Sequence, residues 1–386
     1  MRKNKKIIVF FIFFVLILQF FDIFNVRYFT FANAKITENN SLTSAKSMVT
    51  MEANSGRILY KKNENQRLPM ASTTKIITAI VAIENCADLD EKYPIPASAV
   101  GIEGSSIYLR KNEHLSVREL LYGLMLRSGN DSAVAIAIIV AGSVEYFVKM
   151  MNDFCINLGL KDTHLVTVNG LHDDNHYTSA YDLATITAYA LKNKTFAEIV
   201  STSVKDISDE NSKYKIRHLK NKNKLLKMVD GADGVKTGFT KKAGRCFVGS
   251  ATRDNMQIVC VVLDCVPMFQ DSKKLIEKGF DEYKMTKLFP NGKLIDLDLK
   301  FGKKMQNVPI FITKSIYYPL KHDEINKITA NIVLKENLVL PHNENDEIGE
   351  IQIRLKNDLI FSQKLFTINI GKMKEESPLK KIIRAF

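Results

Sequence analysis

The chain carries the segment PMASTTK at residues 69–75, in which two residues separate Ser72 from Lys75. The apolar spacing that follows predicts a helix over residues 72–86, so Ser72 stands at a helix start. Residues three apart share a helix face, and Lys75 can therefore reach the Ser72 hydroxyl. A serine needs an adjacent base to attack at neutral pH, and a lysine can be that base when burial lowers its pKa. The free N–H groups of the helix start also favour negative charge at Ser72.

The Ser-x-x-Lys pattern is a weak signal on its own, because a helix-capping serine and a surface lysine would produce it as well. The chain repeats it at residues 212–215 and 377–380, where it does not open a long apolar helix. The helix start therefore distinguishes Ser72 as the candidate nucleophile.

A second candidate segment is Ser128-Gly129-Asn130, which lies between two predicted helices. Gly129 permits a sharp turn that leaves both flanking side chains free to point into a cleft. A hydroxyl there can relay a proton, and an amide can orient a substrate carbonyl or Lys75. A plain helix–helix loop is the simpler interpretation of this segment alone.

A third candidate segment, Lys236-Thr237-Gly238, lies on a predicted strand that follows residues 231–234. A cation beside a hydroxyl can bind a carboxylate. Gly238 allows a substrate backbone to lie close alongside as an added strand. An exposed lysine at a strand end would account equally for this segment in isolation.

The order of the three segments carries more information than any one of them, because S-x-x-K, S-x-N and K-T-G occur in this order in penicillin-binding proteins and class A β-lactamases. The chain resembles the low-molecular-weight penicillin-binding proteins that act as D-alanyl-D-alanine carboxypeptidases, serine peptidase family S11. The resemblance extends from about residue 47 to 370 and includes the blocks at residues 126–132, 178–184, 221–226, 233–240 and 348–351. The chain departs from the family at residues 169–172, Asn-Gly-Leu-His, where the family usually has His directly before Gly-Leu.

The resemblance implies a serine acyl-transfer cycle that uses no metal and no organic cofactor. Ser72 would attack the carbonyl between the two terminal D-alanines of a peptidoglycan stem pentapeptide, and Lys75 would take its proton. Ser128 and Asn130 would pass a proton to the leaving D-alanine and hold the substrate. β-Lactam antibiotics such as penicillin would acylate the same serine.

The resemblance also implies the remaining substrate contacts. Lys236 and Thr237 would bind the terminal carboxylate, with Gly238 beside the substrate backbone. The N–H groups of Ser72 and Phe239 would form the oxyanion hole, because fixed donors at a developing oxyanion contribute strongly to catalysis.

Hydrophobic periodicity predicts an α+β catalytic domain over residues 47–285. The predicted strands are residues 48–51, 58–60, 235–236, 246–252 and 256–263, and the predicted helices are residues 72–86, 116–127, 133–141, 144–158, 180–191 and 273–283. This order indicates an antiparallel sheet with a helical insertion. The resemblance implies the penicillin-binding and β-lactamase-like transpeptidase domain.

The composition changes near residues 289–292, and short alternating runs follow. They predict a small all-β domain over residues 286–370 with strands at residues 295–301, 308–312, 328–334, 348–355 and 359–370.

The N-terminus, residues 1–34, reads as a signal peptide. Basic residues precede the apolar run 7–21, and Ala32-Asn33-Ala34 fits a small-x-small cleavage site. The run is shorter than the roughly 20 residues of a spanning helix. Its distance from the cleavage site is longer than usual, so an uncleaved membrane anchor remains an alternative. Residues 35–46 form a polar linker. We expect an exported protein at the outer face of the cytoplasmic membrane or in the cell wall.

The C-terminus, residues 371–386, is predicted to be an amphipathic basic tail. Four apolar residues lie at i, i+3, i+4 and i+7, and basic residues lie off that stripe. Such a segment suits an anionic membrane surface, although a frayed basic terminus would give the same pattern.

The net charge of the chain is +13, of which the export segment contributes +4 and leaves +9 for the remainder. This balance suits an anionic membrane or an anionic wall polymer. The sequence shows no helix-turn-helix, zinc-finger or aromatic stacking pattern, so we do not expect nucleic acid as a partner.

Two alternative functions remain open, together with a separate question about one loop. A class A-like β-lactamase shares the acylation groups, but residues 169–182 offer no clear glutamate for deacylation, and such enzymes seldom carry an extra β domain. A non-catalytic wall-binding scaffold would be expected to lose a motif residue, and none is lost. The two histidines and two aspartates of residues 171–176 could bind a metal, or form a polar surface loop.

Overall fold

The computed structural model describes residues 42–367, apart from residues 112, 209–215, 302–303 and 336–345. The predicted export segment, the first part of the linker, the basic tail and the Ser-x-x-Lys segments at residues 212 and 377 lie outside the described residues.

Strands occur at both ends of the described chain and helices mainly between them. The strands are β1 (Ser47–Glu52), β2 (Ile58–Lys62), β3 (Lys92–Pro94), β4 (His114–Ser116), β5 (Val204–Ile207), β6 (Arg217–Lys220), β7 (Ala232–Thr240), β8 (Gly244–Arg253), β9 (Met256–Leu263), β10 (Lys284–Phe289), β11 (Gly292–Phe301), β12 (Lys304–Ile312), β13 (Ile316–Leu320), β14 (Ile328–Leu334), β15 (Asp346–Leu355) and β16 (Asp358–Thr367). The α-helices are α1 (Lys75–Asn85), α2 (Val117–Tyr122), α3 (Asn130–Ala141), α4 (Val144–Asn157), α5 (Ala180–Ala190), α6 (Lys194–Ser201) and α7 (Met268–Glu282).

The N-terminal part of the described chain is built on a five-stranded antiparallel sheet with the order β2-β1-β9-β8-β7. Its hairpin between β8 and β9 turns at Asp254 and Asn255, which have φ values of 47° and 61°. A two-residue turn with both φ values positive matches the twist of paired strands and favours Asn and Asp. This hairpin joins two strands that the sequence predicted, at residues 246–252 and 256–263, and β7 forms one edge of the sheet.

Both faces of this sheet are buried, which explains the nearly continuous apolar run of β9. Val259 and Val261 belong to the core shared with the helices between β2 and β7. Ile258, Cys260 and Val262 point to the opposite face and pack beneath α7. Successive side chains of a strand point to opposite faces, so the sheet lies between two helical layers. The predicted antiparallel sheet with a helical subdomain is confirmed.

Two predicted helix starts are set by local hydrogen bonds. Ser116 Oγ accepts from the Glu119 N–H at 3.2 Å, and Glu119 Oε2 accepts from the Ser116 N–H at 2.9 Å, so the two residues form a capping box. Ser179 also caps its helix by accepting from the Asp182 N–H. The carboxylate of Asp182 instead accepts from the backbone N–H of Asp162 at 2.8 Å. The second capping box is therefore only half formed.

The C-terminal part forms a separate five-stranded sheet with the order β11-β12-β16-β15-β14, and β10 pairs with β13. Alternate residues of its strands form an apolar core that includes Val308, Ile310, Ile351, Ile353 and Leu365. The predicted small β domain is confirmed. Sequence patterns did not identify β10 and β13, nor α6 and the short strand pairs β3–β4 and β5–β6.

Arg57 connects the two parts of the chain. Its guanidinium donates to the carbonyl of Pro319 and to Glu324 Oε1, the latter at 2.6 Å. It also lies over the rings of Tyr283 and Tyr318, 4.9 and 5.3 Å from their centroids. This cation–π and ion-pair contact joins the start of β2 to the C-terminal β region.

Within the described residues, no single helix has the length and apolar composition needed to cross a membrane. Helices α3 and α4 meet these criteria only when taken as a pair, and they are bent by 86° relative to each other.

Candidate active site

The candidate nucleophile lies on a short turn at the start of α1. Residues Ala71–Thr74 form a 3-10 turn, and α1 begins at Lys75, so Ser72 stands just before the α-helix. The Lys75 side chain is fully buried. Its Nζ lies 3.0 Å from Ser72 Oγ, and it donates to Asn130 Oδ1 at 2.7 Å and to the backbone carbonyl of Asn169 at 2.6 Å. The predicted contact between Ser72 and Lys75 is therefore present.

The surroundings of Lys75 favour a neutral amine. Burial lowers the pKa of Lys75 well below the usual lysine value, and the positive charges of Lys236 and Lys222 lower this pKa further. Asp131 has the opposite influence, but it is the smallest of the four. A neutral amine within hydrogen-bond distance of a serine hydroxyl has the geometry of a general base.

The second candidate segment lies where two helical segments meet. Ser128 follows a π-helical turn, is buried and has a left-handed φ of 65°. A Cβ atom on Gly129 would lie 2.7 Å from Ser132 Oγ, so the close packing there requires glycine. Asn130 opens α3, and its amide nitrogen donates to the carbonyl of Glu103 at 2.6 Å while its oxygen faces Lys75.

Asp131 supports this segment and was not singled out from the sequence. Its buried carboxylate accepts from Ser106 Oγ at 2.5 Å and from the backbone N–H groups of Ile107 and Leu109. It thereby holds residues 105–109 against the start of α3. A buried carboxylate is stable when several donors bond to it. Sequence reasoning missed Asp131 because these donors are more than twenty positions away in the chain.

The third candidate segment lies on the edge strand β7. Lys236 is buried and its Nζ donates to the carbonyl of Thr237 at 2.9 Å. Burial, helped by the charge of Lys222, lowers the pKa of Lys236 to about 7. Phe239 is 61% exposed, and the guanidinium of Arg245 lies 5.6 Å from its ring centroid.

Gly238 serves a purpose that the sequence did not suggest. A Cβ atom at this position would lie 3.1 Å from the backbone nitrogens of Ser72 and Thr73 and from the carbonyl of Met70. The close neighbour seen in the structure is thus the turn that bears Ser72. This packing brings the Lys236-Thr237-Gly238 segment next to the candidate nucleophile, as the acyl-transfer hypothesis requires.

Lys222 is a further cation of the site that sequence reasoning missed. Its Nζ lies 3.3 Å from Ser105 Oγ, and its backbone N–H donates to the carbonyl of Leu126. Burial lowers the pKa of Lys222, and Arg127 adds to the effect. The only sequence signal was its place inside the block at residues 221–226.

The loop at residues 171–176 is not arranged as a metal site. His172 contacts Asp174 at 3.3 Å, whereas His176 turns inward and its two ring nitrogens contact Thr74 and the backbone of residues 166–167. Within the described ranges, no three His, Cys, Asp or Glu side chains cluster closely enough to hold a metal ion. At the departure from the family pattern, the backbone carbonyl of Asn169 accepts from Lys75 Nζ.

The comparisons with known proteins agree with this geometry. The family model described as D-alanyl-D-alanine carboxypeptidase, Peptidase_S11, matches residues 33–266, which is more than half of the chain. The chain belongs to this family. A second model, the C-terminal domain of penicillin-binding protein 5, matches residues 283–370. The family and the fold predicted from the sequence are therefore confirmed.

Individual members of the D-alanyl-D-alanine carboxypeptidase family resemble the chain over most of its length. DacF of Bacillus subtilis is 32% identical over 329 residues, which cover 82% of this chain and 83% of DacF. DacA of Escherichia coli K12 is 30% identical over 84% of this chain and 83% of its own. Both are named D-alanyl-D-alanine carboxypeptidases.

A solved structure of the same family gives the corresponding result for the fold. Penicillin-binding protein 5 from Haemophilus influenzae superposes with a TM-score of 0.72 at 29% identity, covering 87% of this chain and 99% of that one. Membership in the carboxypeptidase family favours this activity over the β-lactamase and scaffold alternatives.

Proposed function

We propose that the chain is a serine D-alanyl-D-alanine carboxypeptidase that removes the terminal D-alanine from peptidoglycan stem pentapeptides. The observation that carries this proposal is the buried Lys75 amine, 3.0 Å from Ser72 Oγ, in a site whose other lysines lower its pKa. Family membership supplies the substrate class.

The acylation step begins with proton transfer from Ser72 Oγ to the neutral amine of Lys75. The oxygen attacks the carbonyl carbon between the two terminal D-alanines, and the carbonyl oxygen becomes an oxyanion. The backbone N–H groups of Ser72 and Phe239 donate to this oxyanion. Stabilising a charge that develops only in the transition state increases the rate of the chemical step.

Collapse of the tetrahedral intermediate breaks the peptide C–N bond. The departing nitrogen receives a proton from the Ser128 hydroxyl, which recovers one from the ammonium of Lys75. Asn130, already bonded to Lys75 through its oxygen, positions the substrate backbone and the base. Water then attacks the ester carbonyl and gives a proton to Lys75, and Lys75 returns that proton to Ser72 Oγ as the ester C–O bond breaks. The products are free Ser72 and a peptide shortened by one D-alanine.

The terminal carboxylate of the substrate binds Lys236 and Thr237. Lys236 is buried beside other cations, and an incoming carboxylate offsets the cost of that positive charge. Penicillin carries a carboxylate near a reactive amide, so the same groups direct it to Ser72. Gly238 keeps the Ser72 turn next to this carboxylate site.

The location that we propose rests on sequence patterns. Residues 1–34 direct export, and the tail at residues 371–386 attaches the enzyme reversibly to the outer face of the cytoplasmic membrane. The substrate is extracytoplasmic, and a basic chain suits anionic surfaces there.

The activity is tested by mass spectrometry of a stem pentapeptide incubated with protein that begins at Lys35. We expect a product lighter by one alanine residue, which the S72A variant does not form. An unchanged pentapeptide with the folded wild-type protein would refute the proposed function.

A further inference from the structure

His176 is a buried titratable residue that the acyl-transfer steps do not use. It lies in the loop that joins α4 to α5, where His164 and Tyr177 form an isolated antiparallel bridge. Only 3% of His176 is exposed. The loop enclosed by this bridge packs against the turn that bears Ser72.

The contacts of the His176 ring determine which nitrogen carries its proton. Nδ1 accepts from the backbone N–H groups of Val166 and Thr167, at 3.0 and 3.2 Å. An imidazole nitrogen that accepts two N–H groups has no hydrogen of its own, so the hydrogen of the neutral ring is on Nε2. Nε2 lies 2.8 Å from Thr74 Oγ1 and therefore donates to it. Thr74 Oγ1 in turn donates to the carbonyl of Ala71 at 2.7 Å.

These bonds join two pieces of backbone that both reach the reacting groups. Ala71 and Thr74 flank Ser72 in the 3-10 turn. The loop on the other side presents the carbonyl of Asn169, which accepts from Lys75 Nζ at 2.6 Å. A Cβ atom on Gly170 would lie 2.0 Å from the carbonyl of Ala71, so the loop and the turn are in direct contact.

We propose that neutral His176, protonated on Nε2, is a positioning residue that holds the Ser72 turn and the Asn169 carbonyl in register with Lys75. The inference rests on the proposed acyl-transfer function. His176 is not a catalytic residue, because its Nε2 reaches Thr74 rather than Ser72 or the substrate cleft.

The electrostatic environment keeps this ring neutral. Burial lowers the pKa of His176 to about 4, and Asp173 acts in the opposite direction. His164, His172 and Lys75 lower the pKa further. The donor and acceptor arrangement therefore persists at neutral pH.

The first test measures the second-order rate of acylation by penicillin as a function of pH. In H176A, the turn and the loop lose their polar link, and we expect acylation to slow by about tenfold to 100-fold, because small misplacements of reacting groups have effects of this size. A carbonyl that accepts from an ammonium favours the charged form. Displacing the Asn169 carbonyl should therefore shift the acid limb of the profile to lower pH.

Two substitutions separate the halves of the His176 contact. H176N retains an acceptor near Nδ1 but does not reach Thr74, whereas H176Q retains a donor near Nε2 but loses the acceptor for the loop. Each should slow acylation less than H176A. The control is H172N, because His172 lies in the same loop and contacts the exposed Asp174. Its rate and profile should match wild type.

A second pair of variants tests the inference from the other side of the contact. T74V removes the hydroxyl that receives the His176 hydrogen, and T74S restores it. We expect slow acylation in T74V and near wild-type acylation in T74S. Both changes remove the same hydrogen bond, the one between His176 Nε2 and Thr74 Oγ1. The H176N/T74V double variant should therefore be acylated only slightly more slowly than the slower of the two single variants.

Long incubation with penicillin measures the total number of sites that can be acylated, which is the amount of folded protein. Each acylation rate is divided by this amount. The inference would be overturned if H176A and T74V had the acylation rate and pH profile of the wild type. It would also be overturned if the fold-loss in the double variant equalled the product of the two single losses. If wild-type protein is not acylated at Ser72, the proposed function itself fails. If wild-type protein is acylated at Ser72 and the variants are acylated at the same rate, only the proposed role of His176 fails.

Discussion

A Cβ atom on Gly238 would lie 3.1 Å from the backbone nitrogen of Ser72, closer than ordinary side-chain contacts allow. The edge strand β7 and the 3-10 turn of the nucleophile are thus packed backbone to backbone. This contact places the proposed carboxylate-binding segment directly beside the proposed nucleophile.

The first prediction follows from this contact. In G238A, the turn must move by a few tenths of an ångström, and the Ser72 N–H is no longer aligned with the oxyanion. Loss of one such donor costs about 10²- to 10³-fold, so a partial displacement should slow penicillin acylation by roughly ten- to 100-fold.

The control for this experiment is G249A. A Cβ atom on Gly249 would meet the side chains of Leu225 and Phe247 in the core beneath α7. G249A should lower the melting temperature but leave the acylation rate of the folded fraction unchanged. Equal rates in G238A and wild type would show that the packing does not align the donor.

The second prediction concerns the free carboxylate of the substrate. A charge-assisted bond to Lys236 contributes about 1.5–3 kcal/mol. Amidating the C-terminus of the pentapeptide should therefore lower kcat/KM by about 10- to 150-fold, at about 1.4 kcal/mol per tenfold. The comparison needs only the two peptides and one enzyme preparation. Equal rates on acid and amide would assign Lys236 another role.

The third prediction is a bell-shaped pH dependence of kcat/KM. Lys75 must lose its proton to act as a base, so activity should rise with pH through its lowered pKa. Lys236 must keep its proton to bind the carboxylate, and burial lowers the pKa of Lys236 to about 7. Activity should therefore fall as the pH rises above that value.

The K236R variant separates the two limbs of this profile. Arginine stays protonated across the range, so the basic limb should move to higher pH while the acid limb changes little. If the basic limb stays at the same pH in K236R, that limb reports the titration of a group other than Lys236.

Local signals account for what the sequence predicted well. The capping box at Ser116 and Glu119 and the turn at Asp254 and Asn255 involve residues that are neighbours in the chain, so their geometry follows from the local sequence. The nearly continuous apolar run of β9 likewise indicates that both faces of the sheet are buried.

Long-range contacts account for what the sequence did not predict. His176 contacts Thr74 across 102 positions, and Asp131 contacts Ser106 across 25. Such partners are chosen by the topology of the chain rather than by any local pattern. Gly238 was recognised as necessary for close approach, but the approaching group could only be identified as the Ser72 turn in three dimensions.

The fourth prediction concerns the proposed membrane tail. Each basic residue near an anionic surface contributes about 1 kcal/mol, and the apolar stripe of the tail adds to this. Protein that begins at Lys35 should co-sediment with anionic vesicles, and deletion of residues 378–386 should reduce the bound fraction. Neutral vesicles serve as the control. If the deletion changes nothing, the tail is not the membrane attachment.

The central claim is that Ser72 is the acylated nucleophile of a carboxypeptidase. The most direct measurement is peptide mapping by mass spectrometry after labelling the protein with penicillin, repeated over time. The account predicts one penicilloyl group, attached to Ser72, that persists long enough to isolate, because residues 169–182 contain no glutamate to act as a second, deacylating base. In S72A the label should be absent, and the rate of D-alanine release should fall by a factor on the order of 10⁶. A label on Ser212 or Ser377, or rapid release of hydrolysed penicillin with the pentapeptide untouched, would contradict the account.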